Sequence, residues 1–374
     1  MAWLAEDVDI RCQRALKNLL NKDGMQPAHV FRSMWDMLAG VNVLPGTALP
    51  VGHLAGLIGH LPLAMSAFCL GHGGYCQIPA ADMDVTGTPC QDFSGCGHGQ
   101  ADQGPQMAIF LLWCHIMLSR QTAILVHENV PEFWEALLHS HLGHCYWIFS
   151  CVMDCGEVGF QLMSRKRRYT IMYYKSKCSP LCHPVHLYKL LADRMQAALG
   201  HWQSQIWHCF LADYAEIAIE IGPLASKAGL SVAHAMEDIS RLLSDGELAR
   251  LQAYVIAWIE RFQHHPRFCP GAIFNLRDNP EAGWCTWSAV GGRIPCLRTG
   301  SQKLWAPYLN RWLTNKELLA AMGVPVYAQL ANAAGVPLLE VSPGPDAWHM
   351  LGNMMHIASV GTAMFVALAA ARPQ

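Results

Sequence analysis

Along this chain the apolar positions switch repeatedly between helical and strand-like spacing. Ile10, Ala15, Leu16, Leu19 and Leu20 predict a helix after the acidic turn Glu6–Asp9. Val30-Phe31 reads as a short strand. A helix over 106–118, a strand over 122–127, a helix over 132–142 and a strand over 145–153 then alternate. Arg168–Tyr174 is a further β-rich run. This order predicts an α/β class, a doubly wound domain with mainly parallel strands. Near 178 the texture changes: Cys178–Pro184 reads as a linker-like break, followed by helical patterns to about 263. Pro, Gly and Trp dominate 266–300, which predicts irregular or β structure there. Thr314 and Glu317 have capping-box spacing, and an apolar helix is expected from Trp348.

The 374 residues are 52% hydrophobic and 14% charged, so a large core is affordable and a long solvated tail is not. A net charge of −2 excludes a uniformly basic nucleic-acid binder but leaves room for a local cationic groove. Fifteen irregularly spaced cysteines do not form a disulfide framework, which points to a reducing compartment, nucleus or cytoplasm. Residues 37–81 and 350–371 carry no Asp, Glu, Lys or Arg. Prolines and glycines break the first, and Gly352, Asn353 and His356 suit a packed helix in the second, so no membrane partner is expected.

Pro89-Cys90-Gln91 follows an apolar approach that breaks at Gly87, and Glu128-Asn129-Val130 follows a second one. A thiol and a carboxylate on two loops at one sheet edge can act on one substrate. The pair resembles the Pro-Cys-Gln and Glu-Asn-Val signatures of the DNA cytosine-5 methyltransferases. That resemblance implies a Rossmann-like class I S-adenosylmethionine-dependent methyltransferase fold, with or without its first strand, and an inserted helix-rich target-recognition region. By resemblance, Cys90 is the nucleophile that adds to carbon 6 of a cytosine flipped out of double-stranded DNA. Glu128 is the acid that holds ring nitrogen 3, and Pro89 lies against the cofactor.

Further motifs follow in the family's order. Residues 161–177 hold six basic residues and no acid. Arg165-Lys166-Arg167 resembles the Gln-x-Arg-x-Arg motif that supports the flipped base, with Met163 where the family has glutamine. Arg311–Pro325 resembles the Arg-x-Leu-Thr-x-x-Glu motif, whose role is structural. Leu351-Gly352-Asn353 resembles the last motif, with Asn353 at the cofactor's methionine end. Ala5–Gln13 resembles the segment whose acid holds the ribose hydroxyls, which makes Glu6 or Asp7 that acid. The glycine-rich loop Phe-x-Gly-x-Gly-Gly would precede Met1, and Gly71-His72-Gly73-Gly74 mimics it in the wrong place.

The implied organisation is a methyltransferase core over 1–177 with an apolar insertion at about 39–80, a target-recognition region over 178–310, and C-terminal motifs over 311–374 returning to the core. Two alternatives to an active DNA methyltransferase stand beside it. One is a truncated or impaired homologue acting as a nucleic-acid or protein interaction module. The other is a tRNA cytosine-5 methyltransferase, ranked lower because a Cys-Phe-Thr segment is missing. Cys178, Cys182, His183 and His186 fit no standard zinc spacing, so no metal is expected. Target sequence and oligomeric state are not legible.

Overall fold

The structure, a computed structural model, describes residues 4–6, 27–39, 51–94, 99–104, 106–199, 206–282, 287–288, 292–298, 303–341 and 351–374. The helix expected from Ile10 to Leu20 lies outside the described residues. The chain divides into two compact units. One comprises Met1–Asp154, Lys166–Arg194 and Ser359–Gln374, and the other Cys155–Arg165 and Met195–Ala358. These boundaries differ from the 177 and 310 of the sequence reading, and residues 311–358 belong to the second unit.

The first unit holds two four-stranded sheets. In one, β1 (Leu4–Glu6), β2 (His29–Phe31), β3 (Ser66–Cys69) and β4 (Gly74–Gln77) lie in sequence order. In the other, β5 (Met83–Gly87) pairs with β6 (Ile124–Asn129), which pairs with β8 (Lys166–Tyr174), which pairs with β7 (Tyr146–Asp154). Among the described strands only β1–β2 and β5–β6 pair in parallel, so the sheets are mixed rather than mainly parallel. The reason is local. The helix Met107–Arg120 supplies the crossover that a parallel β5–β6 pair requires, whereas β7 and β8 run antiparallel over nine residue pairs.

Strand β6 is buried at all six positions, as a central strand reading Ile-Leu-Val-His-Glu-Asn must be. Met107–Arg120 is buried at nine positions, including Phe110, Leu112, Trp113 and Ile116, and forms the main core with Leu125, Phe133 and Leu138. That is why its apolar residues show so little one-sidedness. Gln121 ends it in a left-handed conformation, φ 51°. The expected break at Cys178–Pro184 contains strand β9 (Cys178–Pro180), which pairs antiparallel with the terminal strand Ala371–Pro373.

The second unit is helical, as its sequence predicts, with helices Tyr214–Lys227, Val232–Glu237 and Asp245–Phe262. A small antiparallel sheet joins Phe274–Asn275, Leu304–Ala306 and Arg311–Trp312. Its aromatic core stacks Tyr254 on Phe274 at 5.1 Å, with Trp258 and Trp287 alongside. The capping box at Thr314 and Glu317 is present. Glu317 is fully buried and accepts from both Arg311 terminal nitrogens at 2.7 and 2.8 Å, a bidentate pair that fixes the start of the helix Asn315–Ala321.

Candidate active site at the carboxyl edge of β5 and β6

Gly87 stands opposite Glu128 in the parallel β5–β6 register. The loop that leaves β5 at Thr88 therefore carries Pro89 and Cys90 over the same edge at which β6 presents Glu128.

Four residues pin that loop. Asn129 donates through Nδ2 to both the Thr88 carbonyl and its Oγ1, each at 3.1 Å. Thr88 Oγ1 is also hydrogen-bonded to His127 Nε2 at 2.7 Å. Burial holds the His127 pKa down at about 3, so the ring is neutral. Trp113, Phe133 and Phe110 enclose that ring at 5.0 to 6.1 Å.

On the far side of the thiol, the Cys90 carbonyl accepts from the Phe93 and Ser94 amides, which closes a tight turn. Buried Asp92 ties the turn down by accepting from Gln106 N at 2.9 Å, while its carbonyl accepts from Ala101 N. A methyl group on Gly104 would overlap the Asp92 carboxylate, so this close approach requires glycine. Cys90 is a half-buried cysteine that forms no disulfide. Near the end of β6, Glu128 is 7% exposed, and its Oε1 lies 3.1 Å from Arg167 Nε. Arg167 enters through the antiparallel β6–β8 pairing, one residue beyond Arg168, which stands opposite Asn129.

The sequence-predicted residues therefore separate into sets. Pro89, Cys90, Glu128 and Arg167 share one edge of one sheet in the first unit. Arg165 and Asn353 belong to the second unit. Arg165 is 2% exposed and donates to the carbonyls of Leu297, Gly352 and Met354 at 3.1, 3.0 and 2.7 Å. It braces the backbone on either side of exposed Asn353. Glu6 ends β1 in the first unit, and Asp7 lies outside the described residues.

Other basic residues of the 161–177 run hold loops. Arg168 donates to the Pro131 carbonyl at 2.8 and 3.1 Å, Lys175 to the Gly143 carbonyl and Lys177 to the Gln121 carbonyl. Sequence reasoning did not single out Thr88, His127 or Asp92. The buried polar triplet His127-Glu128-Asn129 at the end of apolar β6 was the signal for His127, and nothing comparable marked Thr88 or Asp92.

Comparison with known proteins now bears on this edge. Residues 72–146 match the family model of the C-5 cytosine-specific DNA methylases. The matched methylase segment runs from the β3–β4 turn to the start of β7 and contains both Cys90 and Glu128. Among solved structures, the chain is similar to the Entamoeba histolytica methyltransferase EhMeth (11% identity, TM-score 0.46), covering 98% of this chain and 89% of that one. It is similar to the S. pombe Dnmt2 methyltransferase (12%, 0.44), covering 98% and 90%. A putative DNA modification methyltransferase from an E. coli prophage gives 11% and 0.43, covering 98% and 91%. No curated protein matches.

Methylases of this family use S-adenosylmethionine, and the described residues fit only part of it. Of the residues the resemblance assigned to it, Glu6 ends β1 and Pro89 lies on the loop after β5. The glycine turn is not matched: Gly73, at φ 67°, and Gly74 belong to an antiparallel β-hairpin, not to a turn from strand into helix.

Proposed function

We propose that this protein methylates carbon 5 of cytosine in double-stranded DNA through a covalent adduct to Cys90. The observation that carries this reading is the β5–β6 register, which sets the Cys90 loop and Glu128 at one sheet edge. The Glu128–Arg167 pair adds a fixed carboxylate orientation. Cytosine carbon 5 is not nucleophilic, so the ring must first be activated. The Cys90 thiolate forms a bond to carbon 6, and the electron pair of the 5,6 double bond becomes available at carbon 5. Glu128 holds ring nitrogen 3 and the exocyclic amine, and a proton there neutralises the charge that the addition creates. Adenosylmethionine, when bound, supplies the methyl group. Loss of the carbon 5 proton then breaks the sulfur–carbon bond and frees Cys90. Arg167 keeps the Glu128 carboxylate in one rotamer, and the His127–Thr88–Asn129 chain keeps the thiol loop in register with it. A nuclear location in a eukaryote, or a cytoplasmic one otherwise, follows from a DNA substrate.

A duplex carrying 5-fluorocytosine tests this directly, because it cannot lose fluorine from carbon 5. With adenosylmethionine present, the protein is expected to form a denaturant-stable adduct, absent in Cys90→Ala and reduced ~100-fold or more in rate in Glu128→Gln. An adduct that survives Cys90→Ala would sink the assignment.

The incomplete cofactor match favours one second reading, an impaired homologue that binds nucleic acid without turnover. Calorimetry separates the two. That reading expects no heat of adenosylmethionine binding up to about 100 μM, an affinity of only ~5 kcal/mol. Micromolar binding supports the enzyme.

A further inference from the structure

The expectation of no metal leaves out one side-chain cluster, built on the smaller sheet of the first unit. We propose that His29, Cys69, His72 and Cys76 form a closed tetrahedral zinc site that clips β2 to the β3–β4 hairpin. Phe31 stands opposite Cys69, and Ala67 stands opposite Cys76. Side chains alternate along a strand, so Cys69 and Cys76 share a face, and His29, two residues before Phe31, shares it too. His72 sits in the turn between β3 and β4, closed by Gly73 at φ 67°. The four ligand atoms all lie within 4.8 Å of one another.

The distances fit a metal better than a hydrogen-bond network. Both thiol sulfurs lie 3.4 Å from the same atom, Nδ1 of His72. That nitrogen has one lone pair or one proton, enough for one good partner. A zinc with bonds of about 2.3 Å to sulfur and 2.05 Å to nitrogen places those atoms about 3.6 Å apart. His29 Nδ1 is buried and has no hydrogen-bond partner among the described residues. A buried ring nitrogen without a hydrogen-bond partner is a position a metal bond would fill.

The donor set names the ion. Two thiolates and two imidazoles are soft ligands that select zinc over magnesium or calcium. Their two negative charges balance the dication, so the neutral site tolerates partial burial. All four positions are protein ligands, which leaves no open place for a substrate and makes the site structural. The sheet needs such a clip. Its strands are three or four residues long, and its buried core is Phe31, Ala67 and Cys69. So small a core does not hold a sheet without a staple. A Cys69–Cys76 disulfide suits it less, because the two are diagonal neighbours, a spacing of ~7–8 Å between Cα atoms where a disulfide needs less than ~7 Å.

The test uses the full chain purified without chelators, with metal content read by elemental mass spectrometry. One zinc per chain is expected. Cobalt exchanged into the site should show the visible bands of tetrahedral coordination and a sulfur charge-transfer band. His72 is exposed and Cys76 half-buried, so in His72→Ala and Cys76→Ala zinc affinity should fall at least about tenfold, with hydrogen exchange rising in the β3–β4 hairpin while the helices of the second unit keep their protection. Cys182→Ala, outside the cluster, should keep the metal. The proposal fails if the wild-type chain takes up no zinc in zinc-supplemented medium. It also fails if both variants hold zinc as the wild type does, or if non-reducing peptide mapping finds Cys69 bonded to Cys76.

Discussion

Arg165 and Arg167 are two residues apart and do different work. Arg167 sits within β8, with its guanidinium against Glu128. Arg165 precedes the strand and spends its guanidinium on three backbone carbonyls of the second unit. Removing Arg165 leaves buried carbonyls without donors, each costing about 1–3 kcal/mol, so Arg165→Ala should lower stability by roughly 3 kcal/mol or more. Arg167→Ala takes the cation from the nearly buried Glu128 carboxylate, so it too should lower the urea midpoint, and adduct formation should slow because Glu128 loses its fixed orientation. Urea unfolding and the 5-fluorocytosine trap read the two effects separately. If Arg165 contacted a DNA phosphate instead, its removal would lower the salt slope of duplex binding by about one without loss of stability. The resemblance placed both arginines at the substrate, and spacing alone could not separate them. Which unit a strand-end residue joins depends on where the chain turns.

At the scale of elements, the helix Tyr214–Lys227 carries a titration that affects folding. Burial pushes the Glu220 carboxyl up from its ordinary value of 4.5 to about 7. Hydrogen bonds from the Asn315 amide and Trp312 lower it, and the neighbouring Glu317 and Glu216 charges raise it further. The folded state therefore holds this proton more tightly than the unfolded chain does. Glu220 costs nothing below about pH 4.5, and its penalty grows up to about pH 7, above which it is fully present. That difference corresponds to a penalty on the order of 3 kcal/mol. Stability of the wild type should fall between pH 5 and pH 8, and Glu220→Gln should flatten that slope while keeping an acceptor for the Asn315 amide. Urea midpoints at the two pH values check it, and an unchanged slope in the variant would assign the dependence to other groups.

Long elements such as Met107–Arg120 and β6 were legible because apolar residues fill them. The β3–β4 hairpin was not, since an uncharged stretch without a period hides a turn whose glycines mimic a cofactor loop. Its metal ligands were equally hidden. Cys69, His72 and Cys76 make no standard zinc spacing, and His29 joins them only through the pairing of β2 with β3. At the candidate active site, the strand-end positions of Cys90 and Glu128 were legible from the breaks that follow their apolar runs. The Thr88–His127–Asn129 chain that holds them was not, because a buried histidine announces itself only through its neighbours.

For the whole molecule, the division into units governs folding. The chain passes between them at 154/155, 165/166, 194/195 and 358/359, so the first unit is completed only by the last sixteen residues, Ser359–Gln374. That tail is held from several directions. Ser359, Ala363, Val366 and Ala367 are buried, Tyr173 donates its hydroxyl proton to the Ala367 carbonyl at 3.0 Å, and Leu181 N donates to the Ala370 carbonyl at 2.7 Å. The terminal strand then pairs with β9. Tyr173 and Ala367 are 194 residues apart. Closing so long a loop is entropically costly before its contacts form, so tail docking should be a late step of folding. A chain ending at Ala358 should therefore leave β8 and β9 short of partners while the aromatic core around Tyr254 and Phe274, complete without the tail, keeps its structure. Hydrogen exchange with peptide resolution distinguishes the outcomes. Protection should drop by more than about tenfold, ~1.4 kcal/mol, across β6, β8 and β9, and should stay within error across Asp245–Phe262. Uniform loss across both units would show that they unfold as one cooperative body and that the tail supports the whole chain rather than its first unit.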